Sequence, residues 1–282
     1  MAKGVLVDLT KCIGCGSCTV ACKMYNNNEW IDERAPVAGE DAKLADANWT
    51  VVQKCRINKE TGRNLSVNGM SPPEGMGGRE VWRFVKRQCL HCKEPACASS
   101  CFATAFKKTE AGPVVYYPNL CVGCRYCMLA CPFSVPKFEW NKAIPVLTKC
   151  TMCSTRLEKG DAPACVTVCP TDVMKFGEYD GLLAEAKTIL AGDDRYVQHV
   201  YGEEEAGGTA WIYISDKPFE SLGFRTNVPK RSSPSYTKDY MHRTPVVGGI
   251  WLAVLACLYF VTRRRSAVKT DQTPNSKSDP QS

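Results

Sequence analysis

The sequence predicts an α+β fold of two small modules, one split around the other, followed by a single C-terminal transmembrane helix. Three observations predict it. Sixteen of the eighteen cysteines fall into four groups of four, each set in a strand, loop and short-helix unit, which is an internal repeat. Residues 26–80 interrupt that repeat with a stretch rich in Asn, Gly and charge. Pro245–Thr262 runs for eighteen residues without a charge.

Taken in order, residues 4–9 (Gly-Val-Leu-Val-Asp-Leu) read as a strand leading into Cys12-Ile-Gly-Cys15-Gly-Ser-Cys18-Thr-Val-Ala-Cys22, with a helix starting over Thr19–Met24. Gly14 and Gly16 let that loop turn tightly. The 26–80 insertion carries a strand at Trp49-Thr-Val-Val, a loop at Ser71–Gly78 and a small hairpin expected to lie over one metal centre. The second group is Cys89-Leu-His-Cys92-Lys-Glu-Pro-Ala-Cys97-Ala-Ser-Ser-Cys101, and a strand-like Val114–Tyr117 follows it. The third is Cys121-Val-Gly-Cys124-Arg-Tyr-Cys127-Met-Leu-Ala-Cys131-Pro132. The fourth is Cys150-Thr-Met-Cys153, then an insert that is helical from Arg156 to Gly160, then Cys165-Val-Thr-Val-Cys169-Pro170. Apolar residues at helical spacing follow at Leu182, Leu183, Ala186, Ile189 and Leu190, then a buried strand at Thr209–Ile214. Pro218–Tyr240 is Pro/Ser-rich and reads as extended chain.

These units divide the chain into a cluster-bearing domain over 1–229, a linker over 230–244, a transmembrane helix over 245–262 and a disordered tail over 263–282. Within 1–229, an outer module takes 1–25 and 145–180, the insertion 26–80, a central module 81–144 and a C-terminal cap 181–229. At 1.5 Å per residue the apolar run reaches about 27 Å, just enough to cross a bilayer core. Trp251 and Tyr259 sit toward its two ends, and Arg263-Arg-Arg265 follows at once, which predicts a cytoplasmic C-terminus and a domain on the outer face.

The third group has the spacing with which bacterial ferredoxins hold iron–sulfur cubanes: three cysteines grip one [4Fe–4S] cluster and the fourth ligates its neighbour. Applied to all four groups, the crossed rule assigns Cys12, Cys15, Cys18 and Cys169 to one cluster, and Cys22, Cys150, Cys153 and Cys165 to a second. Cys89, Cys92, Cys97 and Cys131 take a third; Cys101, Cys121, Cys124 and Cys127 take a fourth. Cys55 and Cys257 are left without a role. Zinc is the rival for CxxC pairs, but a four-cysteine zinc site needs no third cysteine in each loop, and here two groups have the full ferredoxin spacing. His91, inside the second group, is read as a hydrogen-bonding neighbour of a cluster, and Lys93, Arg125 and Lys149 as cations beside cysteines that raise cluster potentials.

The formal charge of +7 comes without a basic-aromatic recognition motif, so no nucleic-acid partner is expected. No GxGxxG, P-loop or hydrolytic constellation accompanies the clusters, which leaves a wire without a catalytic site. The alternatives are a free-standing membrane-anchored polyferredoxin and, from another class, a zinc-stabilised scaffold.

From Val5 to Arg265 the chain resembles the four-cluster, ferredoxin-like electron-transfer subunits of membrane oxidoreductases. These include the beta subunit of respiratory formate dehydrogenase, the iron–sulfur subunit of membrane-bound nickel–iron hydrogenase and, more distantly, the dimethyl-sulfoxide reductase subunit, which lacks an anchor. Cys124–Phe138 and Tyr201–Thr209 look most like the hydrogenase-associated members; Cys12–Cys22 fits the formate dehydrogenase members equally. The resemblance implies two partners besides the bilayer: a large molybdopterin or nickel–iron catalytic subunit, and an integral membrane subunit binding quinone or haem. Phe102 stands where the family usually has proline after the cysteine. The chain opens on Met1-Ala-Lys-Gly without a twin-arginine signal, which implies export of the folded domain with its catalytic partner.

Overall fold

In a computed structural model, the structure describes residues 2–30, 36–58, 62, 64, 80–140, 142 and 146–271. The expected loop at Ser71–Gly78 lies outside them. The chain divides into two units, Met1–Pro234 and Ser235–Ser282.

The first unit begins with β1 (Lys3–Asp8), whose Val5, Leu6 and Val7 are buried on both faces. It is the middle strand of a sheet ordered β10-β1-β9, parallel to β10 (Trp211–Ile214) and antiparallel to β9 (Met174–Glu178). Alternation sorts the side chains. Val5, Val7, Trp211 and Tyr213 enter one core, while Leu6, Ile212 and Ile214 enter another beneath α6 (Tyr179–Gly192). That helix buries Tyr179, Leu182, Ala186 and Leu190, the single stripe its apolar spacing predicts.

After β1 the first cysteine loop passes into α1 (Ser17–Asn26). A second sheet, ordered β2-β3-β4, holds β2 (Ala38–Gly39), β3 (Val51–Asn58) and β4 (Glu80–Arg87). β3 and β4 pair as an antiparallel hairpin, but β3 alone lies in the expected 26–80 insertion; β4 runs on from Glu80 into the stretch read as the central module. The hairpin lies over the first cysteine loop: the ring of Phe84 covers Gly14, leaving no room there for a Cβ.

Short elements complete the cysteine repeat: α2 (Ala96–Ser99), the hairpin of β5 (Phe106–Lys108) and β6 (Val114–Tyr116), then α3 (Tyr126–Ala130). Next come the hairpin of β7 (Lys137–Phe138) and β8 (Leu147–Thr148), α4 (Ser154–Leu157) and α5 (Ala164–Thr167). α1 packs on α5 and α2 on α3. The repeat is also written in the backbone, because the third residue of the first CxxC in every group is left-handed: Gly14 at φ +75°, His91 at +50°, Gly123 at +72° and Met152 at +55°. Two of these are glycines; His91 and Met152 hold the conformation at a cost of about 1 kcal/mol each.

The polar stretch read as extended from Pro218 differs. Phe219, Leu222 and Phe224 are buried, with Phe224 4.7 Å from the Tyr201 ring centre and 5.1 Å from Tyr213. Three apolar side chains among Ser and Pro suffice to seat the segment. The expected linker over 230–244 differs too, since α7 (Ser233–Asp271) begins inside it, with Ser-Pro as its opening pair. The helix continues through Pro245, whose missing N–H leaves one intrahelical hydrogen bond unmade.

In the second unit, Val246, Ile250, Leu252, Leu255 and Phe260 of α7 are exposed. Among the described residues, α7 is the one helix long and apolar enough to cross a membrane. Its apolar side chains enter no protein core.

Candidate metal centres

The first recess, of about 350 Å³, is lined by Cys12, Cys15, Cys18 and Cys169. Cys12 and Cys15 come from the β1–α1 loop, Cys18 from the first turn of α1, and Cys169 from the end of the α5 segment. Chain closure makes this possible, since β1 pairs with β9 and draws Cys169 back to the start of the chain.

A second recess, of about 320 Å³, is lined by Cys22, Cys150, Cys153 and Cys165. Cys22 thus leaves its own loop and joins the fourth group, while Cys169 makes the reverse move.

In the centre, burial raises the Cys92 thiol first, and Cys89, Cys131 and Cys97 raise it further as close neighbours. Burial likewise pushes Cys127 up to about 11, with Cys121, Cys124 and Cys101 adding to it. Cys12, Cys15, Cys18 and Cys169 thus share one recess and Cys22, Cys150, Cys153 and Cys165 another, while thiols within each central set act on one another's protonation. Cys55 lies apart in the core, donating to the Leu222 carbonyl, and Cys257 is exposed on α7.

Thiols of different sets also act on one another: after burial, Cys165 raises Cys18, Cys89 raises Cys150 and Cys127 raises Cys97. Among the sixteen grouped cysteines, Cys15 and Cys124 are exposed.

Burial pushes the Cys18 thiol up to about 11 and Cys22 to about 12. Such thiols hold their protons until a metal displaces them, so loading couples to proton release. Hydrogen-bond donors already face the sulfurs. Met152 N–H donates to Cys150 Sγ at 3.3 Å, Ala105 N–H to Cys101 at 3.3 Å and Gly123 N–H to Cys121 at 3.4 Å.

Two observations test the fit of an iron–sulfur cluster. Among the described residues no three His, Cys, Asp or Glu side chains converge to hold a single metal ion. Thiols of the two outer sets line recesses roomier than a single ion needs. Second, His91 is fully buried and its Nδ1 accepts from Val114 N–H at 2.9 Å, while Nε2 has no partner. Burial, then Lys149, holds its pKa well below the usual histidine range, so the neutral ring carries its proton on Nε2. A buried N–H without a partner, on the residue between Cys89 and Cys92 in sequence, is a donor for which a cluster sulfide would be a suitable acceptor. The residues fit the group.

The cations sort themselves. Lys149 is buried, donates to the Val114 and Cys150 carbonyls, and lowers the Cys97 thiol. Lys93 lies over the Tyr179 ring at 3.9 Å and Arg125 over Trp140 at 4.4 Å, so both are held by aromatic faces. Two lysines carried no signal in the sequence. Lys108 clamps the second loop, donating to the carbonyls of His91 at 3.1 Å and Cys92 at 2.9 Å. Lys86, on β4, lines both outer recesses.

The Tyr201–Thr209 stretch that carried part of the resemblance is a clasp. Glu205 accepts from Gly202 N–H at 2.6 Å inside it, and the Gly208 carbonyl accepts Lys93 N–H at 2.9 Å, pinning the second cysteine loop.

Known proteins match this arrangement. A 4Fe-4S dicluster domain family matches residues 80–179, and a 4Fe-4S binding domain family matches residues 3–24. A protein of Nitratidesulfovibrio vulgaris is 40% identical over 276 residues, covering 95% of this chain and 69% of its own. Hydrogenase-2 operon protein HybA of Escherichia coli O157:H7 is 31% identical over 93% of this chain and 84% of its own. The nitrate-inducible formate dehydrogenase iron–sulfur subunit of Escherichia coli strain K12 is 33% identical over 90% and 82%. On these identities and coverages, the chain belongs to the family of 4Fe–4S electron-transfer subunits that includes HybA and the formate dehydrogenase iron–sulfur subunits.

Proposed function

We propose that the sixteen grouped cysteines hold four [4Fe–4S] clusters in the crossed sets, and that the chain relays electrons between a large catalytic subunit and a quinone- or haem-binding membrane subunit. The observation that carries this reading is the exchange of Cys22 and Cys169 between the two outer recesses. The outer module, 1–25 with 145–180, is then split around the central module, 81–144. Bound clusters would supply one-electron chemistry at closely spaced positions.

The protein's own residues do the rest. Thiols fix each site, backbone N–H groups and the His91 Nε2 proton offer hydrogen bonds to sulfur, and buried Lys86 and Lys149 offset negative charge. The electrostatic effect of Cys165 on Cys18, of Cys89 on Cys150 and of Cys127 on Cys97 supports one linear path whose ends carry the exposed Cys15 and Cys124. Those ends are where partners exchange electrons. Residues 245–262 of α7 cross the bilayer once, with Arg263–Arg265 on the cytoplasmic side and the cluster domain outside. The relatives are named for hydrogenase-2 and formate dehydrogenase. A catalytic partner of either the nickel–iron or the molybdopterin class follows from that likeness.

Extraction in mild detergent tests the reading. The chain is expected to copurify with a large catalytic subunit and to contain about sixteen iron and sixteen acid-labile sulfide. Isolation as a fully redox-active monomer would make it a free-standing polyferredoxin instead, and zinc in place of iron would make it a scaffold.

A further inference from the structure

Lys86 is 2% exposed and reaches neither solvent nor a carboxylate among the described residues. Its Nζ donates to Thr50 Oγ1 at 2.8 Å and Gln88 Oε1 at 3.0 Å, and it stands 4.7 Å from the centre of the Trp211 ring. All three partners are neutral. Gln88 is itself fixed, donating to the Tyr213 hydroxyl at 2.6 Å. An ammonium held so firmly in a low-dielectric interior needs negative charge nearby. What surrounds it is sulfur: Lys86 lines the recess of Cys12, Cys15, Cys18 and Cys169 and also that of Cys22, Cys150, Cys153 and Cys165.

We propose that Lys86 is a positioning residue shared by the two outer sites, a fixed positive charge that raises the reduction potentials of both together. The inference rests on the assignment of clusters to those two recesses. A thiolate-ligated cubane is anionic and gains one further negative charge on reduction, so a nearby cation stabilises the reduced form. One charge between two such sites also offsets their mutual repulsion, keeping the pair closely matched for transfer in either direction. The placement has a structural cause. Strand alternation puts Lys86 on the same face of β4 as Phe84, whose ring covers Gly14 of the first cysteine loop, while the buried Val85 takes the opposite face.

The test is an EPR-monitored redox titration of the detergent-solubilised complex carrying Lys86→Met, Lys86→Gln or Lys86→Arg. Outer signals are identified with Cys15→Ser and Cys153→Ser. Lys86→Met and Lys86→Gln are expected to shift both outer potentials negative by at least tenfold in the one-electron equilibrium constant, about 59 mV. Lys86→Arg restores them, and the two central potentials move less. Outer potentials that do not move, or four that move alike, overturn the inference. So does loss of the outer clusters in both neutral variants, which would make Lys86 a structural residue. A wild-type complex without four cubane signals would sink the underlying assignment instead.

Discussion

Cys22→Ser separates the crossed arrangement from a simpler one in which each loop keeps its four cysteines for one cluster. Cys22 lies in α1, one turn beyond Cys18, yet it lines the recess of Cys150, Cys153 and Cys165. The substitution removes one of four sulfurs from that recess and none from its neighbour. Burial that raises the thiol to about 12 disfavours a serine alkoxide still more, so three thiolates remain. Iron should fall from about sixteen per chain to about fifteen if a three-iron cluster survives, or to about twelve if the cluster is lost. Iron analysis and EPR of the reduced protein measure this. The decisive comparison is with Cys153→Ser and Cys15→Ser: Cys22→Ser should reproduce the spectrum of Cys153→Ser. If it reproduces Cys15→Ser, its own loop-mate, the crossed assignment is wrong.

Gly14→Val would drive a branched side chain into Phe84 at a left-handed backbone position. It should cost about 1–3 kcal/mol and lower the melting temperature, with the outer clusters bleaching first; unchanged melting would mean that the hairpin does not press on the loop. Asp216, just after β10, ties that strand to β4 by accepting from Arg83 Nε at 2.8 Å. Burial raises its pKa, Arg83 outweighs that, and the net shift is down. Its contribution of about 1 kcal/mol is therefore present above the unfolded value near 3.9 and lost as pH falls through the lower folded one. Denaturation of wild type and Asp216→Asn should accordingly differ at neutral pH and converge in acid; a constant gap would refute the pairing. Leu255→Arg places a charge mid-way along the apolar part of α7, costing about 3 kcal/mol if the helix spans a bilayer. Carbonate extraction should then release more of the chain, and undiminished retention would count against a spanning helix.

Much of this was legible in the sequence because the information is local. Apolar runs at Val5–Val7 and Trp211–Ile214 declare strands, and Leu182, Ala186 and Leu190 declare a helix face. The Pro218 stretch misled because its composition hid Phe219, Leu222 and Phe224, whose burial depends on Tyr201 and Tyr213 being there to receive them. The helix start at Ser233 was obscured for a related reason: polar residues preceding an apolar run carry no period. Lys93 and Arg125 looked like cluster neighbours on spacing alone, yet the rings that hold them, Tyr179 and Trp140, are distant in sequence or on another element.

By itself the sequence pointed to the chemistry, because cysteines with two or three residues between them can close around a shared group, and two groups carry the spacing of 4Fe–4S loops. Tertiary structure decided what stands beside each site. Lys86 sits on a hairpin with no cysteine in its turn, and pairing of β1 with β9 folds the first and fourth loops beneath it. A charge acts through distance in space, and the order of residues along the chain does not record that distance.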